Sequence, residues 1–179
     1  MYYTTTHPSP VGLLTLASDG ENLIGLWLAG QKYHGGTITG SATVQDTLPI
    51  FTLTKDWLAH YFAGHQPEAA VIPLAPIGTS FRQGVWRILQ DIPYGTVLTY
   101  SDIARQMAAA MNRAHMSAQA VGGAVGHNPI SIIIPCHRVI GTGGSLTGYA
   151  GGIDTKKWLL ELEGVRTDGF YTPVKGTAL

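Results

Sequence analysis

The 179-residue chain carries a single cysteine, Cys136, in the stretch IIIPCHRVIG, between a β-branched run and the pair His137–Arg138. A thiol is a good nucleophile only as thiolate. An unperturbed cysteine has a pKa of about 8.5, so reactivity calls for a nearby cation, an oriented imidazole or helix N-terminal amides. Successive side chains on an extended segment point to opposite faces, so a working Cys136–His137 pair requires the chain to turn. Pro135 makes a turn there reasonable, and a bridging water would close a remaining gap. An imidazole used as base needs its other nitrogen held by an acceptor, and Glu163 is one candidate. The competing reading is plain: a lone cysteine is usually an inert core residue. The polar pair directly after the thiol weighs against it.

Composition bounds the answer. Apolar residues make up 45% of the chain, enough for a packed core. The length suits one ordinary domain or two small ones. One cysteine excludes an internal disulfide and a Cys-rich zinc site. Residues 1–30 have no basic n-region and no apolar run of spanning length, so neither signal peptide nor transmembrane helix is expected, and the setting is read as cytoplasmic. Formal net charge is zero, but residues 1–76 hold two Lys/Arg against five Asp/Glu, and residues 77–165 seven against five. The mildly basic second part permits contact with phosphates without requiring it.

The elements that must position Cys136 divide the chain. Tyr2 to Thr6, Gly12 to Ala17 and Leu23 to Leu28 read as strands, with SPVG and SDGEN as turns. Thr47 to Phe62 has helical spacing, and Gly64 is its stop. A Pro-rich stretch follows, and a junction is placed near residues 75–79. Beyond it the chain is mainly helical. Ser80 is expected to cap a helix bearing Phe81, Val85, Ile88, Leu89 and Ile92, and Ser101 one with Ile103, Met107 and Met111 inward. Ser117 is expected to cap a third, SAQAVGGAVGHN, broken by Asn128–Pro129. Two helices joined by a turn, the second rich in Ala and Gly, suggest a helix-turn-helix. Asp154 starts a last helix closed by Gly164. Trp86 and Trp158 are read as core.

PCHRV, with FRQ-VW upstream and GYAGG and KKWLLELEG downstream, closely resembles the O6-alkylguanine-DNA alkyltransferases, also called methylated-DNA–protein-cysteine methyltransferases. The similarity runs from about Thr79 to Gly164. The resemblance implies an α+β protein: a small ribonuclease-H-like α/β domain over residues 1–76, then a mainly helical, winged-helix-like alkyltransferase domain over 77–165, with 166–179 a tail. It implies that Cys136 accepts the alkyl group irreversibly, once per molecule, that His137 draws its proton through a water, and that Glu163 orients His137. Tyr100 would donate to the leaving guanine, and Asn128 would tie the recognition helix to the active-site turn. Pro135, Tyr149 and Ala150 would wall the base pocket.

The partner implied is double-stranded DNA, entered through the minor groove with the alkylated guanine flipped out, by a monomer needing no cofactor and no metal. His7, His34, His60 and His65 have no ligand spacing. Thr99, Ser117, Ala118, Gln119, Ala120, Gly122 and Arg138 would face the DNA, and the small residues would let the helix approach closely. Many relatives have arginine where this chain has Gln119, and the segment between the two helices looks longer here; Arg113 or His115 could reach a phosphate from it. Two rivals stand beside this reading. A non-catalytic lesion binder of the same fold would lack the cysteine, and a cysteine hydrolase would need an oxyanion hole that nothing in the motif marks.

Overall fold

A computed structural model describes residues 1–173. The chain forms two compact units, and the division is not a single cut: residues 1–78 and 129–133 make the first, residues 79–128 and 134 onward the second.

In the first unit β1 (Tyr2–Ser9), β2 (Gly12–Ser18) and β3 (Leu23–Leu28) form an antiparallel meander, and β4 (Ala42–Val44) adds parallel to β1, giving the order β3-β2-β1-β4. The free edge of β3 does not face water. Leu23 exchanges main-chain bonds with residues 73 and 75, and Leu26 with Pro129 and Ser131, so both segments extend the sheet. Covering an edge this way removes a row of unpaired amides. It also explains why β3 is buried along its whole length rather than alternating. α1 (Pro49–Phe62) begins with proline at a position where the missing N–H costs nothing, and Gly64, at φ +81°, stops it.

The second unit holds α2 (Ser80–Gln90), α3 (Tyr100–Ala110), α4 (Ala118–Gly126) and α5 (Ile153–Leu162), with a two-strand ladder of β5 (Leu98–Thr99) and β6 (Val139–Ile140). Two expected caps move by one or two residues. Thr79, not Ser80, caps α2, its side chain accepting from the Arg82 N–H. Thr99, not Ser101, caps α3 through a reciprocal capping box with Asp102. The box wins because a carboxylate three residues on satisfies the Thr99 N–H, which a cap at Ser101 would leave unanswered. Ser117 caps α4 as expected.

Trp86 is buried and its indole N–H donates to the Ala124 carbonyl at 2.9 Å, fixing α2 against α4. Trp158 and Met111 are corrections: their side chains lie more than a third exposed, because the core stripe of α5 runs through Lys156, Leu159 and Leu160 and α3 ends at Ala110. Residues 166–173 are not a loose appendage. Tyr171 bonds to the backbone of Gly144 and Leu146, and Phe170 packs on Ile140, Leu146 and Leu160.

Gly25 tests the packing of the first sheet. A β-carbon there would lie 2.0 Å from the Trp27 ring. Gly25→Ala should therefore cost about 1–3 kcal/mol of overpacking, read as a lower urea midpoint.

Candidate active site

Residues Cys136–Arg138 form one 3-10 turn, closed by the Arg138 N–H on the Pro135 carbonyl at 3.0 Å. The turn resolves the geometric objection to neighbouring side chains serving one site, since the backbone there is no longer extended. Its exit, β6, pairs with β5, so the turn is hydrogen-bonded to the strand that runs directly into Tyr100 and α3. Its entrance is held by Asn128, two residues past α4: the side-chain amide donates to the Ile134 carbonyl at 2.8 Å and to the Cys136 sulfur at 3.1 Å. Asn128 thus touches the sulfur itself, as well as tying the helix end to the turn.

Glu163 collects the site's other groups. Its carboxylate accepts from His137 Nε2 at 2.6 Å, from Arg138 Nε at 2.8 Å and Nη2 at 3.0 Å, and from the Gly95 N–H at 3.2 Å. Burial alone would raise its pKa, but the hydrogen bonds from His137 and Arg138 and the Arg138 charge outweigh that and hold it down at about 2. It is ionised, so it can only accept, and His137 must carry a proton on Nε2. Burial pushes the His137 pKa down against the pull of Glu163, so the ring is a neutral imidazole.

Cys136 is 5% exposed, and burial pushes its thiol up, against Asn128, the Lys156 charge and the main-chain amides of residues 136 and 137. The depressed pKa that a ready nucleophile calls for is therefore not found. Removing the sulfur from water costs more than the surrounding donors return, and the resting thiol is protonated.

Arg138 is a second correction. It was expected to face DNA, but its guanidinium grips Glu163, donates to the Ile92 carbonyl and lies over the Tyr94 ring, with the side chain 11% exposed. The planar fork matches a carboxylate, and a buried carboxylate without it would be uncompensated.

Lys156 was missed by sequence reasoning. It is fully buried, donating to the Val139 carbonyl at 2.5 Å and the Thr147 carbonyl at 2.8 Å, and burial lowers its pKa to about 8. Its signal was present: position 156 lies on the apolar stripe of Ile153, Leu159 and Leu160, where a charge is out of place unless paired. The Thr147 carbonyl also accepts from the Tyr100 hydroxyl at 3.1 Å. Gly148 permits this approach, because a β-carbon there would lie 2.7 Å from that hydroxyl and the backbone has φ +72°.

Tyr149 is buried near Cys136, and its hydroxyl has no partner among the described residues; Ala150 beside it is partly buried. On α4, residues 117–120 are exposed, Val121, Ala124 and Val125 are buried, and Gly122 lies against the Tyr100 ring. The structure therefore gathers Cys136, His137, Glu163, Tyr100, Asn128, Pro135 and Tyr149 around one turn. Ser117, Ala118, Gln119 and Ala120 form a separate exposed helix end, and Thr99 is occupied as a cap.

Inert core cysteines are not served by an amide donor, an imidazole–carboxylate pair and a buried lysine; this is the setting of a thiol nucleophile beside a helix-turn-helix. Comparison with known proteins narrows that class. Residues 80–165 match the model of the 6-O-methylguanine DNA methyltransferase DNA binding domain, and residues 1–76 that of the 6-O-methylguanine DNA methyltransferase ribonuclease-like domain. The methylated-DNA–protein-cysteine methyltransferase of Haemophilus influenzae is 41% identical over 90% of this chain and 86% of its own. The crystal structure of the Mycobacterium tuberculosis O6-methylguanine methyltransferase is 44% identical, covering 91% of this chain and 93% of that one, with a TM-score of 0.77. That of M. tuberculosis OGT in complex with DNA is 45% identical over 90% and 91%, with a TM-score of 0.75. The chain belongs to the 6-O-methylguanine DNA methyltransferase family.

Removing the carboxylate should cost stability with a defined pH dependence. Glu163→Gln leaves Arg138 buried without its counter-charge, a loss of about 3 kcal/mol at neutral pH. Because the folded pKa lies below the ordinary carboxylate value, the contribution is complete above pH ~4.5 and is lost as pH falls toward about 2. Urea unfolding of wild type and variant across that range should show the gap closing.

Proposed function

We propose that this protein repairs DNA by moving the alkyl group of O6-alkylguanine irreversibly onto Cys136. The observation that carries the reading is the Cys136 turn, with Asn128 on the sulfur and the His137–Glu163 pair beside it, in a member of this family. The sulfur attacks the alkyl carbon, the carbon–O6 bond breaks, and its electron pair stays on the guanine. The thiol proton passes through a water to Nδ1 of His137, whose other nitrogen is held by Glu163. Tyr100 releases the Thr147 carbonyl and gives its hydroxyl proton to the guanine ring, so that the base leaves neutral, and the phenolate is then reprotonated through solvent as His137 gives up the proton it took. Proton lost and proton gained balance, and the products are a thioether and guanine. Water cleaves a thioester but not a thioether, so each molecule acts once.

The neutral resting thiol suits this chemistry. A protonated sulfur is protected from adventitious electrophiles until a base is seated, and His137 supplies the driving force only then. Lys156 positions the site: it ties the end of the active-site turn, at Val139, to the pocket wall, at Thr147, and its charge favours the thiolate as that develops.

The target carbon is stacked inside duplex DNA, so the nucleotide must be rotated out. We assign the exposed end of α4, with Ser117, Ala118, Gln119 and Ala120, to the minor groove, where small side chains allow close approach and Gln119 fills the space the base vacates. Gly122 serves from behind, seating α4 on Tyr100, and the partnerless Tyr149 hydroxyl is placed to meet the flipped base, with Ala150 and Pro135 as walls. In this reading residues 77–165 carry the reaction and residues 1–76 form a separate α/β domain. The protein acts as a monomer in the cytoplasm; among the described residues no helix is long and apolar enough to cross a membrane.

Mass spectrometry after incubation with duplex DNA containing O6-methylguanine tests the reading. The expected result is one added methyl, on Cys136, in an amount equal to the guanine released. Tight lesion binding with unmodified protein would make it a non-catalytic binder, and repeated turnover with unmodified protein a hydrolase.

A further inference from the structure

A groove of about 420 Å³ lies between α3 and the segment leading to α4, away from the Cys136 turn. Its α3 wall comes from positions 101, 104, 105, 108 and 109, one continuous helical stripe, and alanine at 104, 108 and 109 leaves the helix backbone approachable. The opposite wall is residues 113–116, and the groove ends at Ala118, the first residue of α4. Arg105, Arg113 and His115 line it, and no carboxylate does.

The loop wall is not loosely attached. Asn112 takes φ +51°, its N–H bonds the Ala109 carbonyl at 3.1 Å, and the Arg113 N–H bonds the Ala108 carbonyl at 2.8 Å. This pair of reversed bonds is a Schellman closure, and it fixes where Arg113 leaves the helix. Arg105 is already paired with Asp102, whereas no ion pair involves Arg113 among the described residues. A guanidinium with fixed backbone, at the rim of a groove of this size and free of carboxylates, presents a fork that matches a phosphate.

Resting on the DNA-repair reading above, we propose that this groove is a backbone clamp: Arg113, with His115 as a further donor, holds a phosphodiester of the duplex next to the step entered by α4. The DNA strand is favoured over a soluble anion because the groove opens onto the same helix end, residues 117–120, that is exposed for the minor groove. A phosphate contact positions without reading sequence, so it should strengthen binding equally on any duplex.

The test is a salt series of duplex binding by fluorescence anisotropy, on undamaged and O6-methylguanine DNA, with Arg113→Gln and, as a control for net charge, Lys32→Gln. Arg113→Gln is expected to weaken both duplexes several-fold and to the same extent, and to lower the slope of log K against log salt by about one. The rate of methyl transfer at saturating DNA should not change, and Lys32→Gln should behave as wild type. An unchanged slope, a loss confined to the damaged duplex, or an equal loss in Lys32→Gln would overturn the clamp while leaving the repair reading intact. Wild-type protein that binds duplex but never methylates Cys136 would defeat the repair reading and leave the clamp standing.

Discussion

The bond between Arg138 and Glu163 is the constraint on which the second unit is built. A carboxylate with no exposed side-chain surface is tolerable only if its charge is met and its lone pairs are filled. Arg138 does the first with two parallel bonds, and His137 and Gly95 complete the second. Because His137 and Arg138 are consecutive, one carboxylate on the end of α5 dictates the conformation of the turn that begins at Cys136. The polar pair behind the thiol is therefore two demands on one acceptor, and the tight turn satisfies both.

Protonation states follow from that arrangement. Glu163 is ionised because its partners outweigh its burial; His137 is neutral because its burial outweighs its partner. The same low-dielectric surroundings keep the proton on sulfur. A site built this way keeps its thiol in an unreactive form, next in the chain to a neutral imidazole whose Nε2 is held by Glu163. Lys156 and Asn128 favour the thiolate without being strong enough to produce it at rest.

Much of this was legible in the sequence, for identifiable reasons. The bond between His137 and Glu163 could be foreseen because an imidazole behind the thiol demands an acceptor and the last helix has one at its end. β1 and β2 were visible from alternation and β3 as an apolar run, α4 from Ser117 and its Ala/Gly run, whereas the three-residue β4 was not foreseen. What sequence reasoning missed was set by tertiary partners. Arg138 looked like a surface cation until the buried carboxylate claimed it. Lys156 counted only as one of the basic residues of the second half, and the carbonyls of Val139 and Thr147 explain a lysine in the core. The caps at Thr79 and Thr99 were displaced from the expected serines because each threonine stands three residues before the amide it accepts from, and at Thr99 an aspartate returns the bond.

The central claim is that Cys136 is protonated at rest and loses its proton only in a relay through His137. Ultraviolet titration of the thiolate in the folded, unalkylated protein tests this most directly. The expected result is no thiolate absorbance at neutral pH and a midpoint above that of an ordinary cysteine. A thiolate already formed at neutral pH would contradict the account, since the imidazole would then have no proton to take.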